Sequence, residues 1–172
     1  MIMGAILIVV GAILAILLVV PKKIRGSGSE VRSAVTPTTE TVDTIIDAAS
    51  RRWGVEAALI RAIIKVESDF NPNAVNPNDP SYGLMQITPI LAEDFGYVKD
   101  WRNVTEAEIA MIRLPTTNVQ IGTRFLAKLL SKYSQGIAIQ MYNVGESGYN
   151  SGHRAADYLA KVTRYYNEYK SD

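Results

Sequence analysis

The chain of 172 residues has no cysteine. Disulfides, thiolate metal sites and thiol nucleophiles are therefore excluded, the redox compartment stays open, and the fold has to stand on its core alone. Net charge is almost as scarce, because 18 Lys and Arg against 17 Asp and Glu leave a formal +1. The basic residues are scattered, as at Arg51-Arg52, Lys128 and Lys132, which reads as a solvated face rather than a nucleic-acid-binding patch. Histidine occurs once, at His153 in a Gly/Ser-rich turn, a position that reads as solvent-exposed rather than catalytic. Neither an alternating apolar strand pattern nor an internal repeat is present, so the fold class is mostly α with short connections and at most a minor hairpin.

What is present divides the chain into three parts. Residues 1–20 carry no charged side chain, are rich in Ile, Leu, Val, Ala and Gly, and stop at Pro21-Lys22-Lys23. That length suffices for a transmembrane helix through a lipid bilayer. A secretory signal peptide competes, but it requires basic residues before the apolar stretch and a small-residue cleavage site after it, so an uncleaved anchor is the preferred reading. Residues 21–40 mix Gly, Ser, Thr, Pro and charges without apolar periodicity, which describes a tether with a root-mean-square reach of roughly 25 Å. Residues 41–172 form the folded domain.

In that domain Val42, Ile45, Ile46 and Ala49 share a helical face, and the run stops at Trp53-Gly54, where Gly suits a left-handed cap. A second helix from near Val55 carries Leu59, Ile63 and Val66 toward Glu67. The segment 70–81 holds three Pro and four Asn, which break helices and favour turns. Thr88-Pro89 restarts a short helix, and Thr105 with Glu108 matches a capping box. Asn118 is expected to cap a helix from Val119 to Tyr133 whose buried side holds Ile121, Phe125 and Leu129. Two more helices are expected near 136–142 and 154–169.

Glu67 closes an apolar helix and is followed by a polar loop, so its carboxylate is held beside apolar surface. Such a carboxyl keeps its proton to higher pH and can donate it to a leaving group, which cleavage of a glycosidic bond requires. The Asn/Asp loop from Asp69 to Asp79 lacks the ligand spacing and terminal Glu of an EF-hand, so no metal or other cofactor is assigned.

The ordered series Glu67-Ser68, Phe70-Asn71-Pro72, Ala74, Gly83-Leu84-Met85-Gln86, Pro89 and Tyr142-Asn143-Val144-Gly145 resembles the lytic transglycosylase domain of the soluble (Slt) type. This is a lysozyme-like family, akin to goose-type lysozyme, that cuts the glycan strands of peptidoglycan. The likeness spans roughly residues 41–169 and implies a lysozyme-like α-helical domain around a substrate groove. It implies that Glu67 protonates the oxygen linking N-acetylmuramic acid to N-acetylglucosamine, with the sugar's acetamido oxygen stabilising the oxocarbenium-like state. The ionised Glu67 then takes the proton of the muramic 6-hydroxyl as that oxygen closes on C1, which yields a 1,6-anhydro end and consumes no water.

Substrate-binding roles follow from the same resemblance. Ser68 is placed to bond the acid or the substrate, Met85 to wall a sugar ring or fill the core, and Gln86 to bond hydroxyl and acetamido groups or its own loop. Tyr142 can point its hydroxyl at Glu67 or the sugar, Asn143 can meet substrate or position backbone, and Tyr158 stands where the family has another groove tyrosine. Val144 departs from the small residue common in the family, which touches subsite detail rather than reaction class.

Two other functions stay open. A true lysozyme would hydrolyse the same bond with a second carboxylate, for which Asp69, Asp79, Glu93 and Asp94 are nominally available. A catalytically silent, membrane-tethered glycan-binding or structural virion protein would keep the scaffold alone, against which the retention of Glu67, Gln86 and Tyr142 argues. The setting is open as well. Lys22, Lys23, Arg25 and Arg32 follow the apolar span, and the positive-inside rule would leave the domain in the cytoplasm, away from peptidoglycan. Either the rule is overridden, as in an enzyme serving the cell's own wall or a secretion complex, or the chain sits in a phage virion membrane and is delivered as the phage enters its host.

Overall fold

The computed structural model describes residues 41–171. The expected membrane anchor at 1–20 and tether at 21–40 lie outside the described residues, among which no helix is long and apolar enough to cross a membrane. Seven α-helices and a minimal hairpin follow in order: α1 Val42–Trp53, α2 Ala57–Ser68, β1 Val75–Asn76, β2 Ser81–Tyr82, α3 Pro89–Asp94, α4 Glu106–Arg113, α5 Pro115–Leu130, α6 Gln135–Asn150 and α7 Ala156–Ser171. A single 3-10 turn, Trp101–Asn103, precedes α4.

The helix ends follow local chemistry. Thr41 caps α1 by accepting from the Thr44 amide, and Gly54 ends it at φ 68°, its N–H donating to the Ser50 carbonyl. Thr88 caps α3 in the same way with Pro89 in the first turn, and Thr105 and Glu108 form the reciprocal capping box of α4. The Asn/Pro segment makes the expected hairpin, with Val75 opposite Tyr82 and Asn76 opposite Ser81.

The α2 helix is the centre of the domain. Leu59, Ile60, Ala62, Ile63 and Ile64 are all buried, a near-continuous apolar surface that fits a helix packed on several sides. Each large aliphatic side chain among them contributes roughly 2 kcal/mol of burial. Its largest interface is with α7, while α1 lies against α5. The Trp53 indole N–H donates to Gln120 Oε1 at 2.8 Å, joining α1 to α5, and the Tyr166 hydroxyl donates to Glu56 Oε2 at 2.8 Å, joining α7 to the start of α2. With α2 wedged in this way, its C-terminal residues, Glu67 among them, are carried out of the core at a fixed angle.

Two expectations about helix limits are corrected. Asn118 does not cap α5: the helix begins at Pro115, and Asn118 sits inside it, fully buried. Proline supplies the start because its missing N–H would have no intrahelical partner there, which frees the Asn amide to bond outside its own helix. The helix expected to stop near Tyr142 instead runs to Asn150 and is interrupted only at Gly145, with φ 74° and ψ 155°. A residue without Cβ takes that conformation at little cost, so the helical path resumes immediately after it.

Candidate functional site

A groove of about 890 Å³ opens on the face where α2 ends. One wall is the hairpin with α3, contributing Val75, Asn76, Asp79, Ile90 and Asp94; the other comes from α5 and α6, with Phe125, Lys128, Tyr142, Asn143 and the stretch around Gly145; Glu67 and Gln86 lie in it as well. Val75 and Ile90 are exposed apolar side chains facing this opening.

Glu67 is held by α2 immediately before the helix turns away. Asp69 and Phe70 both adopt left-handed backbone, at φ 52° and 61°, and Asp69 pairs with Lys65 one turn back. This stop leaves the Glu67 carboxyl at the groove. Burial pushes its pKa up from 4.5 to about 7, and a hydrogen bond from Tyr158 partly opposes that rise. The Tyr158 hydroxyl donates to Glu67 Oε1 at 2.5 Å. Every buried side-chain polar atom among the described residues has a partner, and Glu67 Oε2 has none, so Oε2 is the oxygen open to the groove. Where the described acids depart from their ordinary values, Glu67 alone moves upward, whereas Asp100, Glu108 and Glu146 are held down by hydrogen bonds.

The remaining expected residues divide into groove lining and support. Ser68 donates its hydroxyl to the Leu84 carbonyl at 2.8 Å, with the Ile64 carbonyl at 3.2 Å, so it ties α2 to the turn of Gly83–Gln86 rather than facing the groove. Met85 is fully buried, which fits the core role of the two open for it. Gln86 lines the groove, yet its amide is spent on the loop: Nε2 donates to Gly83 O at 2.9 Å and Ala74 O at 3.3 Å, and Oε1 accepts from the Ser81 hydroxyl at 2.9 Å. These bonds hold Gln86 at φ 47°, a conformation that costs energy in a residue with a side chain. The Tyr142 hydroxyl donates to the Met85 carbonyl at 3.0 Å, and Phe125 packs on its ring at a centroid distance of 5.5 Å. Burial, and the nearby Glu67, raise Tyr142 and Tyr158 well above the usual phenol range, so both stay neutral donors. Asn143 is exposed on the groove wall. Tyr158 is not among the groove-lining residues; it backs Glu67 from α7.

The sequence marks Asn118 as a helix cap and not as a support of the site. Its Oδ1 accepts from the Met85 amide at 2.7 Å, and its Nδ2 donates to the carbonyls of Tyr82 at 2.7 Å and Ile112 at 3.0 Å. The signal was present: a polar residue and then Gly122 lie in the same helical stripe as Phe125 and Leu129, where an apolar side chain would be expected. Among the described residues no group of three or more His, Asp or Glu side chains is placed to hold a metal ion. Glu67 is the groove carboxyl held protonated to higher pH, with the neutral phenols of Tyr142 and Tyr158 near it, and Asp79, Asp94 and Glu146 also line the groove.

Residues 44–165 match the family described as Transglycosylase SLT domain. Two similar proteins are both named membrane-bound lytic murein transglycosylase C. One, from Haemophilus ducreyi, is 36% identical over 106 residues, covering 60% of this chain and 28% of that protein. The other, from Shigella sonnei, is 37% identical over 89 residues, covering 52% and 24%. The chain therefore spans about a quarter of the length of these curated relatives. An X-ray structure of an inactive mutant of lytic transglycosylase Slt from Pseudomonas aeruginosa aligns with TM-score 0.49 and 20% identity, covering 69% of this chain and 20% of that one. The family match runs from within α1 to within α7 and takes in every residue that lines the groove, and on that match this chain belongs to the Transglycosylase SLT domain family.

Proposed function

We propose that the chain is a peptidoglycan lytic transglycosylase that cleaves the β-1,4 bond between N-acetylmuramic acid and N-acetylglucosamine and leaves 1,6-anhydro-muramyl ends. The observation that carries this reading is Glu67, a groove carboxyl with pKa about 7. At neutral pH its protonated and ionised forms are both populated, as a single group that first gives a proton and then takes one requires. Tyr158 occupies Oε1, so the transferable proton belongs on Oε2.

In the first step that proton passes to the glycosidic oxygen while the bond from C1 of the muramic sugar breaks and its electron pair stays with the leaving oxygen. Tyr158 stabilises the carboxylate that forms, since a hydrogen bond to an ionised acceptor is about twice as strong as a neutral one. In the second step Glu67 accepts the proton of the muramic 6-hydroxyl as that oxygen bonds to C1. Asn143 and the exposed Val75 and Ile90 contact the sugars, and Gln86 shapes the groove through its loop bonds. Ser68 and Met85 act from behind the groove.

The relatives are named as membrane-bound proteins, and an anchor at residues 1–20 followed by the tether at 21–40 would keep the domain beside the wall it cuts. A topology reporter fused after the apolar span tests the setting: a reporter outside the cytoplasm places the enzyme in the bacterial envelope, and one retained inside favours delivery from a virion membrane. The activity itself is tested by incubating the purified chain and its Glu67→Gln variant with peptidoglycan sacculi. Release of soluble muropeptides by the first and not the second is expected. No release by the folded wild-type chain would move the assignment to a glycan-binding protein.

A further inference from the structure

The turn Gly83–Gln86 is gripped from three helices at consecutive backbone atoms. Ser68 of α2 bonds the Leu84 carbonyl, Asn118 of α5 bonds the Met85 amide, and Tyr142 of α6 bonds the Met85 carbonyl. The grip is steric as well as polar. Gly83 has φ 75°, and a Cβ there would lie 2.6 Å from Asn118 Nδ2. One turn along α5, a Cβ on Gly122 would lie 2.6 Å from Met85 Sδ, 2.9 Å from Met85 Cβ and 2.8 Å from the Tyr142 hydroxyl oxygen. The Thr123 hydroxyl also reaches Met85 Sδ at 3.8 Å. The helix thus holds Met85 by backbone and side chain together, and seats Tyr142 on the same spot.

We propose that Asn118 and Gly122 are positioning residues for the reaction: this face of α5 sets where Met85 lies, and through the Met85 carbonyl where the hydroxyl of Tyr142 sits, on a residue that lines the groove with Glu67. The proposal rests on the assignment above for its kinetic consequence but not for its structural one. Asn118 fixes the turn; the missing Cβ of Gly122 admits the thioether and the phenol side by side. A Cβ at 122 must displace one of them by about 1 Å, and misplacement of that size at a reactive centre costs up to roughly 100-fold in rate. Alanine is otherwise the better helix former, by about 1 kcal/mol, so a general weakening of α5 is not the expected result.

The test uses the full 172-residue chain, its Gly122→Ala variant, Tyr142→Phe and the double variant, with soluble glycan-strand fragments as substrate and ring-labelled tyrosine for NMR. The Gly122→Ala chain is expected to lose about tenfold in kcat with KM within about threefold, and to shift the Tyr142 ring signal, identified by its absence in Tyr142→Phe. On the Tyr142→Phe background the same substitution should change kcat less than about threefold, because the hydroxyl it displaces is already gone. An unmoved Tyr142 signal with unchanged kcat, or an equal loss on both backgrounds, overturns the proposal. If Gly122→Ala does not fold, Asn118→Asp, which keeps the acceptor for the Met85 amide and loses the amide donor, is read by the same two measures. A wild-type chain that makes no anhydro product would defeat the functional assignment alone, since the tyrosine signal reports the positioning without turnover.

Discussion

The groove carboxyl should cost the protein stability, and the cost should appear only where the carboxyl ionises. Burial raises Glu67 from 4.5 to about 7, so the folded state holds this proton more tightly than the unfolded chain does. Below about pH 4.5 both states are protonated and nothing is lost. Between pH 4.5 and 7 the unfolded chain releases a proton that the folded state retains, and stability falls as pH rises; above about pH 7 the loss levels off. A displacement of this size corresponds to about 3 kcal/mol. Glu67→Gln removes the titration but keeps an oxygen to accept from Tyr158. The variant should therefore match the wild type near pH 4 and exceed it by up to about 3 kcal/mol at pH 8, which for a domain of this size is roughly 10 °C in Tm. Urea or thermal unfolding of both chains at several pH values decides the matter. A stability difference that does not change between pH 4 and 8 would refute the reasoning, because a carboxyl with an ordinary pKa gives no such gap.

Three further outcomes follow from the same geometry. Tyr158→Phe removes the 2.5 Å donor that opposes burial, so the Glu67 pKa climbs above about 7 and the alkaline limb of the pH–rate profile should move up by about one pH unit; a limb that stays or moves down contradicts this. Tyr142→Phe orphans the buried Met85 carbonyl bond and should lower kcat about tenfold at a stability cost of about 1–2 kcal/mol, read by steady-state kinetics beside a urea curve. Asn118→Ala removes the side-chain bonds to Met85, Tyr82 and Ile112 and should cost about 3 kcal/mol or more in chemical unfolding, whereas a loss below about 1 kcal/mol would mean that water replaces them.

The helices and their caps were legible because their signals are local. Gly54, Thr88-Pro89 and the Thr105/Glu108 pair each report a backbone need met within four residues. Glu67 was legible for a related reason, since an acid that ends an apolar helix is conspicuous on one line of sequence. What could not be read is what depends on contacts across the chain. Ser68 and Gln86 carry groups able to bond a sugar, and only the packing of α2 against the turn reveals that those groups are bonded within the protein. Asn118 reads as a cap because Asn favours caps, and the proline three residues earlier, which starts the helix, outweighs it. The partner of Tyr158 lies 91 residues away, a pairing no local pattern encodes. Gly122 has the weakest signal of all, because its role is the absence of a side chain where two others meet.

The central claim is that one carboxyl both gives and recovers the proton, so that no water enters the product. The most direct measurement is digestion of peptidoglycan by the full chain in oxygen-18 water, with the released muropeptides weighed by mass spectrometry. Anhydro-muramyl ends are expected, one water lighter than reducing ends and free of the heavy isotope. Reducing ends carrying oxygen-18 would contradict it and make the enzyme a hydrolase, with Asp79 or Asp94 of the groove as the first residues to test for activating the water.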